Sequence, residues 1–321
     1  MKKIMVTFII TFLVTAVAML GAFLTGTGYF LGNYVVEFGL ERGTAQDPKA
    51  PPRAYALVMP PNPGGYTKPD FPAEDWRIAG EDGTPLVGTH FSPGGWSHRW
   101  VIALHGYGCT QENSWYIAAN YLHMGYHVVT PDLRGAGESG GHYVTLGHDE
   151  SLDVRLWAER ILQADPQAKI VLHGVSMGAA TAMLAAGRGD LPEAVVAVVE
   201  DSGYTSAYDL IAYHLEHSFG LPPFPLLSIM DWRCEKSAGF RLADTSPFDA
   251  VAKQQLPILF IHGTADTLVP PKMSEELYHH AASTTKDLLK IEGATHAATS
   301  QKDQKRYFET IQRFVGPYMG K

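Results

Sequence analysis

Short apolar runs that alternate with longer helical stretches constrain the fold of this chain more than any other feature. From about residue 74 onward, runs such as Val101-Ile102-Ala103-Leu104 and Ile170-Val171-Leu172 contain no polar residue. Such runs are typical of strands in a sheet with both faces covered, and strands that alternate with helices favour parallel pairing. The sequence therefore predicts an α/β fold with a mostly parallel, eight-stranded sheet flanked by helices.

The individual elements follow from the same pattern. Strands are predicted at residues 74–79, 85–91, 100–104, 126–130, 169–174, 194–200, 257–262 and 287–292. Helices are predicted near residues 114–124, 148–164, 177–187, 206–217, 272–282 and 300–316. The first two strands follow each other so closely that we expect them to pair antiparallel. Residues 202–247 are rich in aromatic side chains and prolines and are too long for a simple connection, which predicts a small helical cap.

The N-terminal 36 residues form an apolar segment. No charged residue lies between Lys3 and Glu37, and a helix over residues 4–24 would be about 32 Å long, enough to cross a bilayer. The lysines before it favour a single-pass anchor in the cell membrane with the remaining chain outside the cytoplasm. The alternative is a cleaved signal peptide and a secreted protein, because Ala16-Val17-Ala18 is a small-residue site. Residues 37–73, rich in proline and glycine, predict a linker to a domain at 74–321.

Composition excludes some classes of protein. The chain has 321 residues, 45% of them hydrophobic, which suffices for a large core. Its net charge is −8 and it has no basic run, which argues against a nucleic-acid partner because phosphate binding needs clustered positive charge. Cys109 and Cys234 form no disulfide framework, and the sequence leaves open whether they are free thiols or one disulfide.

A glycine-flanked serine lies between a predicted strand and a predicted helix. Residues 174–178 read Gly-Val-Ser-Met-Gly and match G-x-S-x-G. The strand-to-helix turn of such a motif is sharp and strained, bulky neighbours would clash in it, and the turn lifts the serine hydroxyl clear of the sheet. This context predicts that Ser176 is a nucleophile.

A serine nucleophile needs a general base and an acid that orients it. Asp266 follows the strand at 257–262, and His296 follows the strand at 287–292, in the order acid then histidine. We predict that His296 takes the Ser176 proton and that Asp266 stabilises the charged imidazole. Asp201, at the end of the sixth strand, is the alternative acid.

Backbone N–H groups near Ser176 would stabilise an oxyanion. Met177 begins the predicted helix, where its N–H faces outward, and Tyr107 lies in the loop after the third strand. We predict these two residues as the oxyanion donors. His105 in the same loop is a possible base but is interpreted as a structural residue that holds the loop.

Three further motifs are interpreted as structural. Residues 135–140 match G-x-G-x-x-G but do not open a helix, as dinucleotide binding requires. His214, Glu216 and His217 lie on one predicted helix without a third metal ligand and are predicted to be solvated, and His279-His280 at a helix end is interpreted in the same way.

The order of these motifs resembles the α/β-hydrolase superfamily over residues 74 to 316. The motifs are His105-Gly106-Tyr107-Gly108, the segment 132–139, the elbow at 174–178, the segment 262–266 and His296. Within the superfamily the chain resembles the serine aminopeptidase-like and monoacylglycerol-lipase-like branch, including members with an N-terminal membrane segment. The resemblance implies Ser176, Asp266 and His296 as a triad, Tyr107 and Met177 as oxyanion donors, and neither metal nor organic cofactor. Tyr107 departs from the glycine-rich loop of some lipases.

These features lead us to expect a membrane-anchored serine hydrolase that cleaves carboxylic esters through an acyl-enzyme. Its aromatic cap favours a small-molecule substrate with an apolar acyl or aryl group. A serine peptidase or amidase acting on short peptides is an alternative, because one triad cleaves both bonds. A non-catalytic, membrane-tethered binding module is a third interpretation, which the complete set of triad residues disfavours.

Overall fold

An eight-stranded sheet forms the centre of the protein. The computed structural model describes residues 2–41 and 67–320. The strands are β1 (Ala73–Ala79), β2 (Pro85–Phe91), β3 (Arg99–Leu104), β4 (His127–Pro131), β5 (Lys169–Val175), β6 (Val195–Asp201), β7 (Ile258–Gly263) and β8 (Lys286–Ile291). Their order across the sheet is β1-β2-β4-β3-β5-β6-β7-β8. Only β2 runs against its neighbours, β1 and β4, so the predicted α/β fold and the antiparallel first pair are confirmed.

Helices cover both faces of the sheet. They are α1 (Lys2–Tyr34), α2 (Trp115–His123), α3 (Glu150–Ala164), α4 (Met177–Arg188), α5 (Ala207–Phe219), α6 (Pro223–Ala238), α7 (Pro247–Val251), α8 (Pro271–His280), α9 (Thr299–Lys302) and α10 (Gln304–Val315). The six predicted helices all correspond to observed ones, and the last of them is divided into α9 and α10 at Asp303. Neither α6 nor α7 was predicted as an individual helix, although α6 lies within the small helical cap predicted at residues 202–247.

The central strands are apolar throughout because both of their faces are buried. In β3, Ile102 and Leu104 belong to the core on one face of the sheet, whereas Val101 and Ala103 belong to the core on the other. Each of these side chains is at most 1% exposed. Burial of a large aliphatic side chain stabilises the fold by about 1.5–3 kcal/mol, so such strands fix the position of the loops that follow them.

The cap consists mainly of α5 and α6 and has an apolar core of its own. Leu215, Leu227 and Met230 pack there with Val36 and Leu40, which belong to a π-helical turn directly after α1. Phe224, the second residue of α6, has the non-helical dihedrals φ −93° and ψ 134°, so the regular helix begins after it, at Pro225, where the missing N–H of a proline leaves no helical hydrogen bond unmade. This placement explains how a proline-rich segment forms a helix.

The long helix α1 has an unpacked part and a packed part. Large apolar side chains between Ile10 and Phe23 are exposed, whereas Gly28, Gly32 and Val36 are buried against the cap. Within the described residues one helix, Ile10–Glu37, is long and apolar enough to cross a membrane, a property that anchors and signal sequences share. Most of the predicted linker at 37–73 lies outside the described residues, since these exclude 42–66.

Candidate active site

Ser176 occupies a strained turn between β5 and α4. Its backbone has φ 57° and ψ −118°, a combination that costs a non-glycine residue of the order of 1–3 kcal/mol. A methyl group on Gly174 would lie 2.0 Å from the carbonyl oxygen of Gly178, and one on Gly178 would lie 2.2 Å from the carbonyl oxygen of Leu104. Both positions therefore require glycine, and the close packing of this turn holds Ser176 in its strained conformation.

The structure brings Ser176, His296 and Asp266 into one hydrogen-bonded chain. His296 Nε2 lies 2.9 Å from Ser176 Oγ, and His296 Nδ1 lies 2.7 Å from Asp266 Oδ2. Asp266 lies in the loop after β7 and His296 in the loop after β8, at the carboxyl edge of the sheet to which β5 also delivers the serine. Since Nδ1–H donates to the carboxylate, Nε2 is left to accept the hydroxyl proton of Ser176.

Asp266 is held as a carboxylate. Burial alone would raise its pKa, but hydrogen bonds from His262 and His296 outweigh burial and lower the pKa to about 2. Its Oδ1 also accepts the backbone N–H groups of Leu268 and Val269, each at 2.9 Å. The negative charge that would stabilise a protonated His296 is thus present across the whole working pH range of an enzyme.

Asp201, the alternative acid, has other partners. Its carboxylate accepts the hydroxyls of Thr299, Ser202 and Tyr307, at 2.5, 2.8 and 2.9 Å. Burial raises its pKa. Because Thr299 begins α9, only three residues after His296, Asp201 fixes the far end of the loop that carries the histidine.

The predicted oxyanion donors both lie beside Ser176. Met177 is the first residue of α4 and is 1% exposed, so its N–H lies at a buried helix N-terminus. Tyr107 follows Gly106, where an added methyl group would lie 3.4 Å from Ser176 Cβ. The loop after β3 thus passes directly over the serine.

His105 connects two loops and lies away from the proton path. Its Nδ1 donates to the carbonyl oxygen of Gly106 at 2.8 Å, and its Nε2 accepts the N–H of Leu133 at 2.9 Å. Burial lowers the pKa of His105, which keeps the ring neutral and suits one donating and one accepting nitrogen. This geometry agrees with a structural residue that holds the loop.

A small cavity of about 90 Å³ opens beside the Ser176 hydroxyl. Its wall includes Gly106, Cys109, Ile117, Ala297 and Ser300, and no residue of the cap lines it. Burial raises the pKa of the Cys109 thiol to about 11, so that the thiol stays neutral. Cys109 and Cys234 are both free thiols, which settles the alternative that the sequence left open.

His214 ties the cap to the loop that carries Asp266. It is half-buried on α5, and its Nε2 lies 2.9 Å from the carbonyl oxygen of Leu268. Burial lowers its pKa. The prediction of a solvated residue is therefore wrong for His214, because α5 packs closely on this loop, whereas His217 is exposed and stacks on Tyr213.

The other motifs interpreted as structural have structural surroundings. Residues 135–140 form a closed loop in which Gly135 donates to Gly140 and Ser139 Oγ donates to Asp132, and α3 begins ten residues after this loop, at Glu150. His280 stacks on Phe248 with 3.7 Å between ring centroids. Among the described residues, no group of three or more His, Cys, Asp or Glu side chains could hold a metal ion.

Two buried groups behind Asp266 were not predicted from the sequence. His262 Nε2 lies 3.2 Å from Asp266 Oδ2 and 2.9 Å from the carbonyl oxygen of Val269. Burial opposes the charged form of His262, but the hydrogen bond to Asp266 and the neighbouring Glu200 outweigh it and raise the pKa. Burial raises the pKa of Glu200 to about 7, although Gly203 N–H and Ser274 Oγ donate to it. The only available signal was a histidine four residues before the acid.

Known proteins resemble this chain in sequence and in fold. The sequence model described as "Prolyl oligopeptidase family" matches residues 113–321. The uncharacterized protein YqkD of Bacillus subtilis is 30% identical over 73% of this chain and 76% of its own length. The lysophosphatidylserine lipase ABHD12 of Danio rerio is 26% identical over 66% of this chain and 54% of its own length. The solved structure of a Pyrococcus furiosus esterase is 26% identical, with a TM-score of 0.65 over 82% of this chain and 98% of its own.

Proposed function

The chain belongs to the prolyl oligopeptidase family of α/β-fold hydrolases, and on that premise we propose that it is a membrane-anchored serine esterase. The observation that carries the proposal is the hydrogen-bonded chain from Asp266 through His296 to Ser176. Together these three residues supply a nucleophile, a general base and a counter-charge.

The reaction follows from the order of the two hydrogen bonds that join Asp266, His296 and Ser176. His296 Nε2 accepts the Ser176 proton as Oγ attacks the ester carbonyl, and the Asp266 carboxylate stabilises the imidazolium that forms. The N–H groups of Tyr107 and Met177 bind the oxyanion of the tetrahedral intermediate. His296 then gives its proton to the leaving alcohol. Water, deprotonated by the same nitrogen, releases the acid from Ser176.

An ester substrate is supported by the size of the cavity and by one relative. About 90 Å³ beside the serine accommodates a small acyl or alkyl group. The Pyrococcus furiosus relative is an esterase by its title. The family description, by contrast, favours amide cleavage, so a peptidase acting on short peptides is the second candidate. Rates on acetate and butyrate esters against aminoacyl and prolyl anilides separate the two.

The proposed location rests on α1. The residues from Ile10 to Phe23 carry exposed aliphatic and aromatic side chains without charge, which suits a lipid environment. Lys2 and Lys3 favour a cytoplasmic N-terminus, which places the domain outside the cytoplasm. Protease added to intact cells should then degrade the domain, and protection of the domain would contradict this orientation.

Substitution of the nucleophile tests the function. Ser176→Ala should abolish hydrolysis of p-nitrophenyl acetate and labelling by a fluorophosphonate probe, with an unchanged melting temperature. Ser300→Ala removes another hydroxyl from the same cavity and should keep labelling, which makes it the matched control. Labelling that persists in Ser176→Ala, or a wild-type chain that neither turns over nor labels, would overturn the proposal.

A further inference from the structure

The connection between α5 and α6 exposes aromatic side chains that the core does not explain. Residues 219–224, called the cap loop below, read Phe-Gly-Leu-Pro-Pro-Phe. Phe219 is 63% exposed and Phe224 is 79% exposed. The sequence holds no charged residue between Glu216 and Asp231. Exposed aromatic residues in an uncharged segment mark a surface that meets another apolar phase.

The packing of α1 on α6 sets the height of the cap loop relative to a bilayer. A methyl group on Gly28 would lie 2.8 Å from Ile229 Cδ1, and one on Gly32 would lie 2.9 Å from Arg233 Cβ. Both partners advance by four residues, so the two helices lie side by side and run in the same direction. Arg233 secures this alignment, since its Nε donates to Asn33 Oδ1 at 2.5 Å and its guanidinium covers the Tyr29 ring.

This alignment brings the cap loop to the edge of the hydrocarbon. The membrane helix predicted over residues 4–24 ends at Leu24, so Gly28 lies about 6 Å beyond it at 1.5 Å per residue. Because α6 runs away from the bilayer as α1 does, its first residues lie below Ile229. Pro225, four residues before Ile229, lies about 6 Å lower than Gly28, at the level of Leu24, and Phe224 precedes it with the non-helical dihedrals φ −93° and ψ 134°. Trp232, 45% exposed on α6, lies higher, at the depth that tryptophan favours in headgroups.

From these positions we infer that the cap loop inserts Phe219 and Phe224 into the interfacial region of the bilayer that α1 spans. The occupant of this surface is a lipid surface, because the anchor that supports the cap enters the bilayer directly beside it. The inference rests on the proposed anchoring. Two phenylalanine rings that leave water would favour the docked orientation by at least tenfold each.

Docking also sets the direction from which substrate reaches Ser176. His214 contacts the loop of Asp266, and Phe219 lies five residues further along the same helix, about 7 Å away. The active site therefore lies close above the lipid headgroups. Esters of membrane amphiphiles become the favoured substrate class, a consequence that rests on the proposed esterase activity as well.

Depth measurement on the full-length protein tests docking without reference to activity. Phe224→Cys and Trp96→Cys are each labelled with the fluorophore NBD in phosphatidylcholine vesicles, and the unsubstituted chain sets the background from Cys109 and Cys234. Trp96 is 91% exposed and precedes β3, at the opposite end of the sheet from the cap, so it is the matched control. We expect blue-shifted emission at 224, and quenching by spin-labelled lipids at least five times stronger there than at 96.

Two other results bear on the inference. The double variant Phe219→Ser, Phe224→Ser should reduce the lipid quenching of a label at Trp232→Cys, because the cap loop then no longer inserts into the bilayer surface. Equal quenching at 224 and 96 would overturn docking, and a mature chain that lacks its first residues would overturn the anchoring beneath it. The depth measurement does not depend on catalysis. If the chain proved to lack esterase activity, docking could still be tested, so failure of the proposed function and failure of docking are distinguishable.

Discussion

Asp266 Oδ2 lies between two histidines, with His296 Nδ1 at 2.7 Å and His262 Nε2 at 3.2 Å. The carboxylate is therefore positioned from two sides, by the residue that it orients and by a buried residue on β7. Both hydrogen bonds stabilise the charged form, which is why its pKa falls to about 2 although burial acts in the opposite direction.

Removal of His262 should weaken the proposed triad without touching substrate. In His262→Leu the pKa of Asp266 rises toward its usual value, and the carboxylate loses its support on one side although it stays ionised in the working pH range. We expect kcat to fall about tenfold, the usual effect of losing a hydrogen bond to a charged group. His262→Gln keeps an N–H donor and should restore most of the activity. An unchanged kcat in His262→Leu would show that His262 only fills space.

The two buried aspartates should respond differently to amide substitution. Asp266→Asn removes the charge that stabilises the His296 imidazolium and should lower kcat by roughly 10³–10⁴-fold. Asp201→Asn disturbs only the hydroxyl donors Ser202, Thr299 and Tyr307 and should retain activity within about tenfold. Steady-state rates on p-nitrophenyl acetate, with melting temperatures as the folding check, decide between them. A larger loss in Asp201→Asn would reassign the acid.

Most of the fold could be predicted from the sequence because its strands carry a strong local signal. A strand buried on both faces is apolar throughout, as β3 and β5 are, and its pattern does not depend on distant residues. The order of Ser176, Asp266 and His296 was equally visible, since each follows its own strand. Helix α6 was not predicted because prolines normally interrupt helices. Prolines are compatible with a helix only at its start, which is where the prolines of α6 lie.

The surroundings of the proposed triad depend on tertiary contacts and could not be predicted. His262 was taken for the last residue of a strand, and its approach to Asp266 depends on how the loop after β7 turns back. His214 was predicted to be solvated because its helix offers no third metal ligand, whereas the loop at Leu268 covers it. The packing of α1 on the cap joins segments about 200 residues apart, and no local pattern reports such a contact.

The glycines of the elbow should tolerate no side chain. In Gly178→Ala the new methyl group meets the Leu104 carbonyl at 2.2 Å, and backbone on both sides must move. We expect a loss of roughly 3 kcal/mol or more in the free energy of unfolding. Gly95→Ala, an exposed position with no atom within 4 Å of the added methyl, should change it by less than about 0.5 kcal/mol. Chemical denaturation measures both, and similar values would contradict the packing of this turn.

Glu200 should make the protein less stable at alkaline pH. Its pKa is about 7 in the folded protein and near 4.5 when unfolded, so the folded state binds the proton more tightly. The resulting stability is present below pH 4.5 and is lost as the pH rises through 7. Glu200→Gln lacks this proton equilibrium. Relative to this variant, the wild type should lose roughly 3 kcal/mol between pH 4.5 and 8. Denaturation curves at the two pH values give the free energy of unfolding. An equal change in it for both proteins between pH 4.5 and 8 would contradict the buried, protonated carboxyl.

The contact between α1 and α6 can be tested at two glycines of one helix. Gly28→Leu places a side chain where Ile229 already lies, at 2.8 Å from its Cδ1, and should separate the helices. Gly26→Leu adds the same side chain two residues earlier, where no atom lies within 4 Å of the first added carbon. The side chains of Asn33 and Arg233 are in contact in the native protein. In a chain with Asn33→Cys and Arg233→Cys, the rate of disulfide formation therefore reports the contact between α1 and α6. Because the close approach needs a bare backbone at Gly28, we expect crosslinking to slow at least tenfold in Gly28→Leu. In Gly26→Leu the rate should not change, and equal rates in the two variants would mean that the cap does not rest on this helix.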